Sequence, residues 1–408
     1  MPDVSKRTEQ LTGSPIRRLA PFAVAAKKRG RTVYHLNIGQ PDIPTPKAFM
    51  DGVRNAQIEV LSYSPSMGLP ATLDALVSYY AEHNIELSSD EMCVTIGGSE
   101  AFTFALQTTM NPGDEVLIPE PFYPNYLGNA IVAGVNLVPI TTRAENGFHL
   151  PPSEEIEARI TTRTRAIMFS NPGNPTGVVY TREELERVVR LALKYELFVI
   201  SDEVYREYVY EGKATSVFDF PELREHAILV DSISKRLSAC GARIGVIASH
   251  NKPLMATIGK LAQIRLSPPS LGQYGLAAFL RDPSHTETIE TMIRKFRSRR
   301  DTLYDAIQTI PGAICQKPAG AFYMCVKFPQ LDDSEAFARW LLTDFKSDKE
   351  TVMVAPGAGF YVTPGKGNDE VRIAYVLEEK KIVRAVEVLG RGLAAYEKVR
   401  KEVETPVS

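Results

Sequence analysis

The stretch that decides the fold is "AIMFSNPGNPTGVVYTREELERVVRLALKYELFVISDEVY", residues 166–205. It opens on a short apolar run, AIMFS, and reaches a second, LFVIS at 197–201, with a helical pattern at 182–196 between them. Thr181 can cap the first free backbone N–H groups of that helix while the Glu184 side chain reaches back, a capping box that fixes where the helix starts. Apolar runs that are continuous rather than alternating mark strands buried on both faces. Further runs of the same kind lie on either side: MCVTI (92–96), EVLIP (115–119), AILVD (227–231) and IGVIAS (244–249). Strands that alternate with helices in this way predict an α/β fold, a large domain with a mostly parallel central sheet flanked by helices.

After about residue 275 the texture changes. A long charged helical stretch, 285–310, leads to GAFYMCVKF (320–328), VMVAPGAGF (352–360), VRIAYV (371–376) and a closing helix through 380–401. Helix, strand and helix without strict alternation predict a smaller α+β domain, to which the first forty or so residues would add. The expected division is a segment 1–45 packing with the small domain, a large domain 46–280 and a small domain 281–408.

Composition narrows the function by exclusion. A net charge of −2 on 408 residues offers neither the basic face that nucleic acid requires nor one for a membrane surface. The four cysteines, at 93, 240, 315 and 325, form no C-x-x-C pair and the six histidines are scattered, which argues against a zinc site or a disulfide framework. Without an apolar signal core at the start or an eighteen-residue apolar run, the expectation is a cytoplasmic protein.

In an open α/β sheet, ligands bind beyond the carboxyl ends of the strands. The residues that follow the runs are therefore the candidates: GGSEAF after MCVTI, EPFYPNY after EVLIP, NPGNPTG after AIMFS, DEVYREY after LFVIS and SISKRLSACGAR after AILVD. Each has a plain explanation. GGSEA can be a strand-to-helix turn capped by Ser99, or a place where backbone approaches a phosphate at a helix start. NPGNPTG is a turn on any reading, yet stiff enough to aim the Asn174 amide. Asp202 can cap a turn, or hold a heterocyclic nitrogen protonated, with the Tyr205 phenol on the same side if that segment is helical. Lys235 and Arg236 can be a solvated turn, or Lys235 can be a nucleophilic amine with Ser232 and Arg243 around an anion.

Together these ends offer an amine, a phosphate cradle, a carboxylate, an amide, a phenol and an aromatic ring, the groups needed to hold pyridoxal phosphate. From NIGQPD near 37 to RIAYV near 376, with NPTG, DEVY and SxSK followed by arginine eight residues on, the chain resembles the class I aminotransferases of the aspartate aminotransferase superfamily, fold type I among pyridoxal-phosphate enzymes. The resemblance implies that Lys235 carries the cofactor pyridoxal 5'-phosphate and serves as the base. It gives Ser232 and Arg243 the phosphate, along with the backbone of Gly98, Ser99 and Glu100, and pairs Asp202 with the ring nitrogen. Tyr205 and Asn174 would donate to the ring's phenolic oxygen, and Tyr123 would stack on the ring. Arg372 would grip the substrate α-carboxylate near Gly39. Tyr63 would enter the phosphate site of a second subunit, so a homodimer with shared sites is implied.

The resemblance makes the expected reaction transfer of an amino group between an L-amino acid and a 2-oxo acid. Aspartate or glutamate with 2-oxoglutarate leads, ahead of aromatic or alanine-type donors. A lyase on the same fold would share these residues. A transcription regulator would need a DNA-binding extension ahead of NIGQPD, and a catalytically dead relative would be expected to lack the lysine or the aspartate. Arg265, in QIRLSPPS, is a candidate for a distal carboxylate or an ordinary surface residue.

Overall fold

In the computed structural model, which describes residues 2–11, 13–345, 347 and 349–404, twelve strands run in chain order: β1 Thr32–His35, β2 Met92–Ile96, β3 Glu115–Glu120, β4 Asn136–Thr141, β5 Thr164–Ser170, β6 Phe198–Asp202, β7 Ala227–Ser232, β8 Ile244–Ala248, β9 Tyr323–Lys327, β10 Glu350–Met353, β11 Ala355–Pro356 and β12 Glu370–Ala374. Seven of them form the central sheet in the order β2-β8-β7-β6-β5-β3-β4. The pairs from β7 through β6, β5 and β3 to β4 are parallel, whereas β8 runs antiparallel to both β7 and β2.

The apolar runs are continuous because both sheet faces are covered. Leu117, Ile167, Val199 and Leu229 point to one face, where they meet Leu76, Tyr80, Val188 and Phe279 from helices Pro70–Glu82, Arg182–Lys194 and Ser270–Arg281. Their neighbours Val116, Met168, Ile200 and Ile228 point to the other face, against Phe102 and Ile258 of helices Gly97–Thr109 and Lys252–Arg265. The capping box at Thr181 is present, with the hydroxyl accepting from Glu184 N and the Glu184 carboxylate accepting from Thr181 N at 2.7 Å.

Two strands lie outside the sequence reading, β1 and, in the central sheet, β4. β4 carries Pro139 and polar ends, and it is tolerated because it forms the edge of the sheet, where a missing N–H breaks no ladder. Outside the central sheet, β1 pairs in parallel with β10, and β12 lies between β9 and β11 in an antiparallel sheet. A second body of apolar side chains joins Leu19, Ala23 and Val33 to Leu303, Phe322, Val352, Ile373 and Leu389. It also takes in Tyr205 and Tyr208, so the loop after β6 is packed into it.

Candidate active site

The carboxyl ends of β5, β6 and β7 face the segment around Gly39 and the antiparallel strands β9 and β12. Lys235 lies in the single helical turn Ile233–Arg236 that follows β7 and is capped by the Ser232 hydroxyl. Its Nζ donates to the Gly39 carbonyl at 2.9 Å. Gly39 is needed at that point, since a Cβ there would lie 1.9 Å from the Tyr323 hydroxyl. Tyr323 in turn bonds the buried Tyr205 hydroxyl at 2.8 Å and carries the Arg372 guanidinium 4.5 Å over its ring. Arg372, almost wholly buried at 1% exposure, donates to Asn174 Oδ1 at 3.0 Å and to the Asn37 carbonyl at 2.5 Å. Lys235, Gly39, Tyr205, Asn174 and Arg372, widely separated in the chain, are thus joined through Tyr323. Burial works against the Arg372 charge and lowers its pKa, and its Nε is buried without a hydrogen-bond partner.

Asp202 ends β6 beneath the same cluster. Burial, more than any other cause, raises its carboxyl from 3.8 to about 6, with Asp231 and Glu203 adding to the rise. Two donors oppose it: the Tyr126 hydroxyl at 2.5 Å and the Val204 backbone N–H at 3.1 Å. The segment after Asp202 forms successive turns, with Arg206 N on Glu203 O and Tyr208 N on Tyr205 O, and not the helix on which the Tyr205 expectation was conditional. The turns still carry Tyr205 inward.

At the other end of the cluster, helix Gly97–Thr109 points its amino end at Ser232 and Arg243. Gly97 has φ +70°, and a Cβ on it would lie 2.3 Å from Arg243 Nη2. Arg243, itself left-handed at φ 55°, donates to the Cys240 and Ile96 carbonyls at 3.1 and 3.3 Å. The Ser232 and Ser234 hydroxyls are 2.8 Å apart, and the nearest heavy atom to a Cβ on Gly98 would be Ser232 Cβ at 3.6 Å. Helix amides in the first turn lack intrahelical acceptors, and here they lie beside two hydroxyls and a guanidinium, a donor set suited to a phosphate. Ser99 sits inside that first turn and does not cap it. The Glu100 carboxylate instead folds back onto Ile96 N at 2.8 Å.

Other expectations change. Arg236 is no solvated turn residue: its guanidinium is buried against Asp231, with Nη2 to Oδ2 at 2.6 Å and Nη1 to Oδ1 at 3.1 Å. Arg265 is neither a surface residue nor free for a substrate carboxylate, because it pairs with Glu100 at 2.8 Å and donates to Ser66 O at 2.7 Å. Tyr63, which the resemblance assigns to a second subunit's site, stands 77% exposed on its own chain. Tyr123 lies edge-on to Tyr126 at 5.5 Å, and its hydroxyl accepts from Asn125 at 2.8 Å.

Tyr126 and Tyr323 are the residues that sequence reasoning missed. Both were within quoted stretches, but a tyrosine next to an apolar run reads as core, and nothing local links Tyr323 to Gly39 or Tyr126 to Asp202. The only pointer was the density of polar aromatics in EPFYPNY.

The sequence profile of the family "Aminotransferase class I and II" matches residues 31–389. An aspartate aminotransferase of Geobacillus stearothermophilus is 31% identical over 400 residues, spanning 96% of this chain and 99% of that protein. Among solved structures, an aspartate aminotransferase from Thermus thermophilus with maleate is similar at TM-score 0.87 and 28% identity, covering 96% of this chain and 100% of the other. An alanine aminotransferase from Pyrococcus furiosus is similar at TM-score 0.85 and 30% identity, covering 98% and 100% of the two chains.

Proposed function

This chain belongs to the class I and II aminotransferases, and from that premise and the site geometry we propose a pyridoxal-phosphate enzyme that moves an amino group from aspartate or glutamate to a 2-oxo acid such as 2-oxoglutarate. The observation that carries it is the chain of contacts from the Lys235 amine through Gly39 and Tyr323 to the buried guanidinium of Arg372. An amine and a guanidinium with an unpartnered buried Nε, held on one frame, suit the α-amino and α-carboxylate ends of one small substrate.

The residues present fit the cofactor. Lys235 would hold its aldehyde carbon; Ser232, Arg243 and the amides of Gly98, Ser99 and Glu100 its phosphate; Asp202 its ring nitrogen; and Tyr123 a ring face. Bound there, it supplies an electron sink for the α-carbon. The chain's own work is electrostatic and positional. A buried carboxyl lifted to about 6 is readily ionised by a neighbouring cation, so Asp202 can keep a proton on a ring nitrogen. Asn174 gives its oxygen to Arg372, which leaves its Nδ2 free to donate along with Tyr205. Lys235, once its amine is released, is the base that moves the α-proton, and Arg372 fixes the carboxylate so that this proton faces the lysine. Residues 60–63 and 264–271 support a homodimer: Val60, Leu61, Tyr63 and Ile264 are 76%, 62%, 77% and 78% exposed, and the two segments adjoin through Ser64 Oγ on Pro268 O.

With added pyridoxal phosphate the wild type should show a visible absorbance that Lys235→Ala lacks. A colourless wild type at saturating cofactor rules out this assignment. Donors tested against 2-oxoglutarate should rank aspartate and glutamate first, and release of ammonia and pyruvate without an oxo-acid acceptor would instead identify the lyase.

A further inference from the structure

The hydroxyls of Tyr205 and Tyr323 stand 2.8 Å apart, both residues are buried, and the line between the two oxygens holds one hydrogen. Which phenol supplies it follows from counting acceptors. Among the described residues the Tyr205 hydroxyl bonds Tyr323 alone, whereas the Tyr323 hydroxyl also faces the Gly39 carbonyl at 3.5 Å. That second contact is at the limit of a hydrogen bond, and the same carbonyl already accepts from the Lys235 amine at 2.9 Å. With Tyr205 as donor, the pair makes its short bond and leaves the Tyr323 hydrogen to the long contact. With Tyr323 as donor, the pair keeps the short bond and frees the Tyr205 hydrogen for an acceptor in the site.

The surroundings favour the second arrangement. The Arg372 guanidinium lies 4.5 Å over the Tyr323 ring, and an O–H on a ring with a cation over its face is the more polarised donor. The Tyr205 ring stands edge-on to that of Tyr323, at 5.6 Å and 85°. Gly39 closes the remaining side, since a Cβ there would lie 1.9 Å from the Tyr323 hydroxyl. The Tyr323 oxygen is thus held where it can serve Tyr205.

We propose that Tyr323 is a positioning residue that donates to the Tyr205 oxygen and so turns the Tyr205 hydrogen toward the cofactor's phenolic oxygen. Hydrogen bonds in a chain polarise one another, so Tyr323 strengthens the bond that Tyr205 gives as well as aiming it. Its ring has a separate task as the platform under Arg372, and loss of the hydroxyl alone leaves that platform in place. The inference rests on the pyridoxal-phosphate reading above and adds a residue to it.

The test is the pH midpoint of the visible band of the pyridoxal-phosphate-loaded protein, read without substrate in wild type, Tyr323→Phe, Tyr205→Phe and the double variant. A donor to the phenolic oxygen favours its deprotonated form, so weakening or removing that donor moves the midpoint up. Tyr205→Phe should raise it most, and Tyr323→Phe by roughly 0.4–1 on the pH scale, the share of one neutral hydrogen bond. The double variant should match Tyr205→Phe, because Tyr323 acts only through that phenol. Tyr210→Phe, which removes a buried phenol of the same core that donates to the Ala321 carbonyl, should leave the midpoint where it is. With an amino donor added, Tyr323→Phe should lower kcat and leave KM nearly unchanged. An unmoved midpoint in Tyr323→Phe, an equal shift in Tyr210→Phe, a double variant that shows the sum of the two single shifts, or an effect confined to KM overturns the assignment. A wild type with no visible band at saturating cofactor refutes the broader reading instead.

Discussion

At Asp202 a single carboxyl links burial to chemistry. Its pKa rises from 3.8 to about 6 mainly because it is buried. A raised carboxyl binds its proton more tightly in the folded state, so no stability is lost below about pH 3.8, and stability falls as pH climbs through 6. At neutral pH the ionised group costs about 3 kcal/mol at 1.36 kcal/mol per unit, in protein without cofactor. Asp202→Asn keeps the shape and an acceptor for Tyr126 but cannot ionise. The cofactor-free variant should therefore melt close to wild type near pH 4 and progressively above it toward pH 7, while losing transaminase turnover. A melting difference that stays flat with pH would contradict the assignment of that cost to charge burial. The residue types at the strand ends were legible because a lysine, an aspartate and an asparagine beside buried strands are costly without a task. Tyr126 and Tyr323 were not, since their roles exist only as contacts 76 and 284 residues away in the chain.

The turn Ile233–Arg236 shows what an element of four residues needs in order to hold a shape. It is too short to support itself as a helix. The support comes from below: Asp231 accepts both Arg236 nitrogens, the Tyr80 hydroxyl at 2.8 Å and Ser232 N at 2.6 Å. Arg236 also lies 4.7 Å over the Tyr79 ring. Burial raises the Asp231 carboxyl, yet Arg236 and Arg206 outweigh it and hold the group below its ordinary value. Arg236→Ala should destabilise by about 3–5 kcal/mol in urea unfolding near pH 7, because it leaves a buried carboxylate uncompensated. A lowered pKa gives stability that is present above the unfolded value and lost as pH falls through the folded one, so this deficit should shrink in acid. Adding Asp231→Asn to the variant should recover part of it. If neither holds, the pair is not what supports the turn. In the sequence Arg236 looked like a solvated charge, because its partner lies on a strand whose apolar neighbours hide a carboxylate. Element types were more legible than such pairings: the capping box at Thr181 marks a start in four residues, whereas the antiparallel direction of β8 depends on connections that a buried run does not encode.

For the whole molecule, the open question is what covers the apolar surface formed by residues 60–63 with 264–271. Leu61, Leu266 and Leu271 are 62%, 52% and 42% exposed, beside Val60 and Ile264 at 76% and 78%. Exposed apolar side chains gathered on adjoining segments suit the proposed homodimer interface, and Tyr63 at their edge finds no place in its own chain's cluster. A homodimer in which each Tyr63 completes the other subunit's phosphate site accounts for both facts. An isologous pair predicts complementation. Lys235→Ala and Tyr63→Ala should each be impaired alone. When the two are mixed, unfolded and refolded together, half the dimers pair unlike chains, and one of the two sites in each of those dimers has an intact Lys235 and an intact Tyr63. Activity should then return to roughly a quarter of wild type, as expected for random reassortment across a two-fold interface. Differently tagged chains that co-purify but regain no activity would separate the interface from the site and remove Tyr63 from it. A chain that sediments as a monomer at micromolar concentration would overturn the dimer as well.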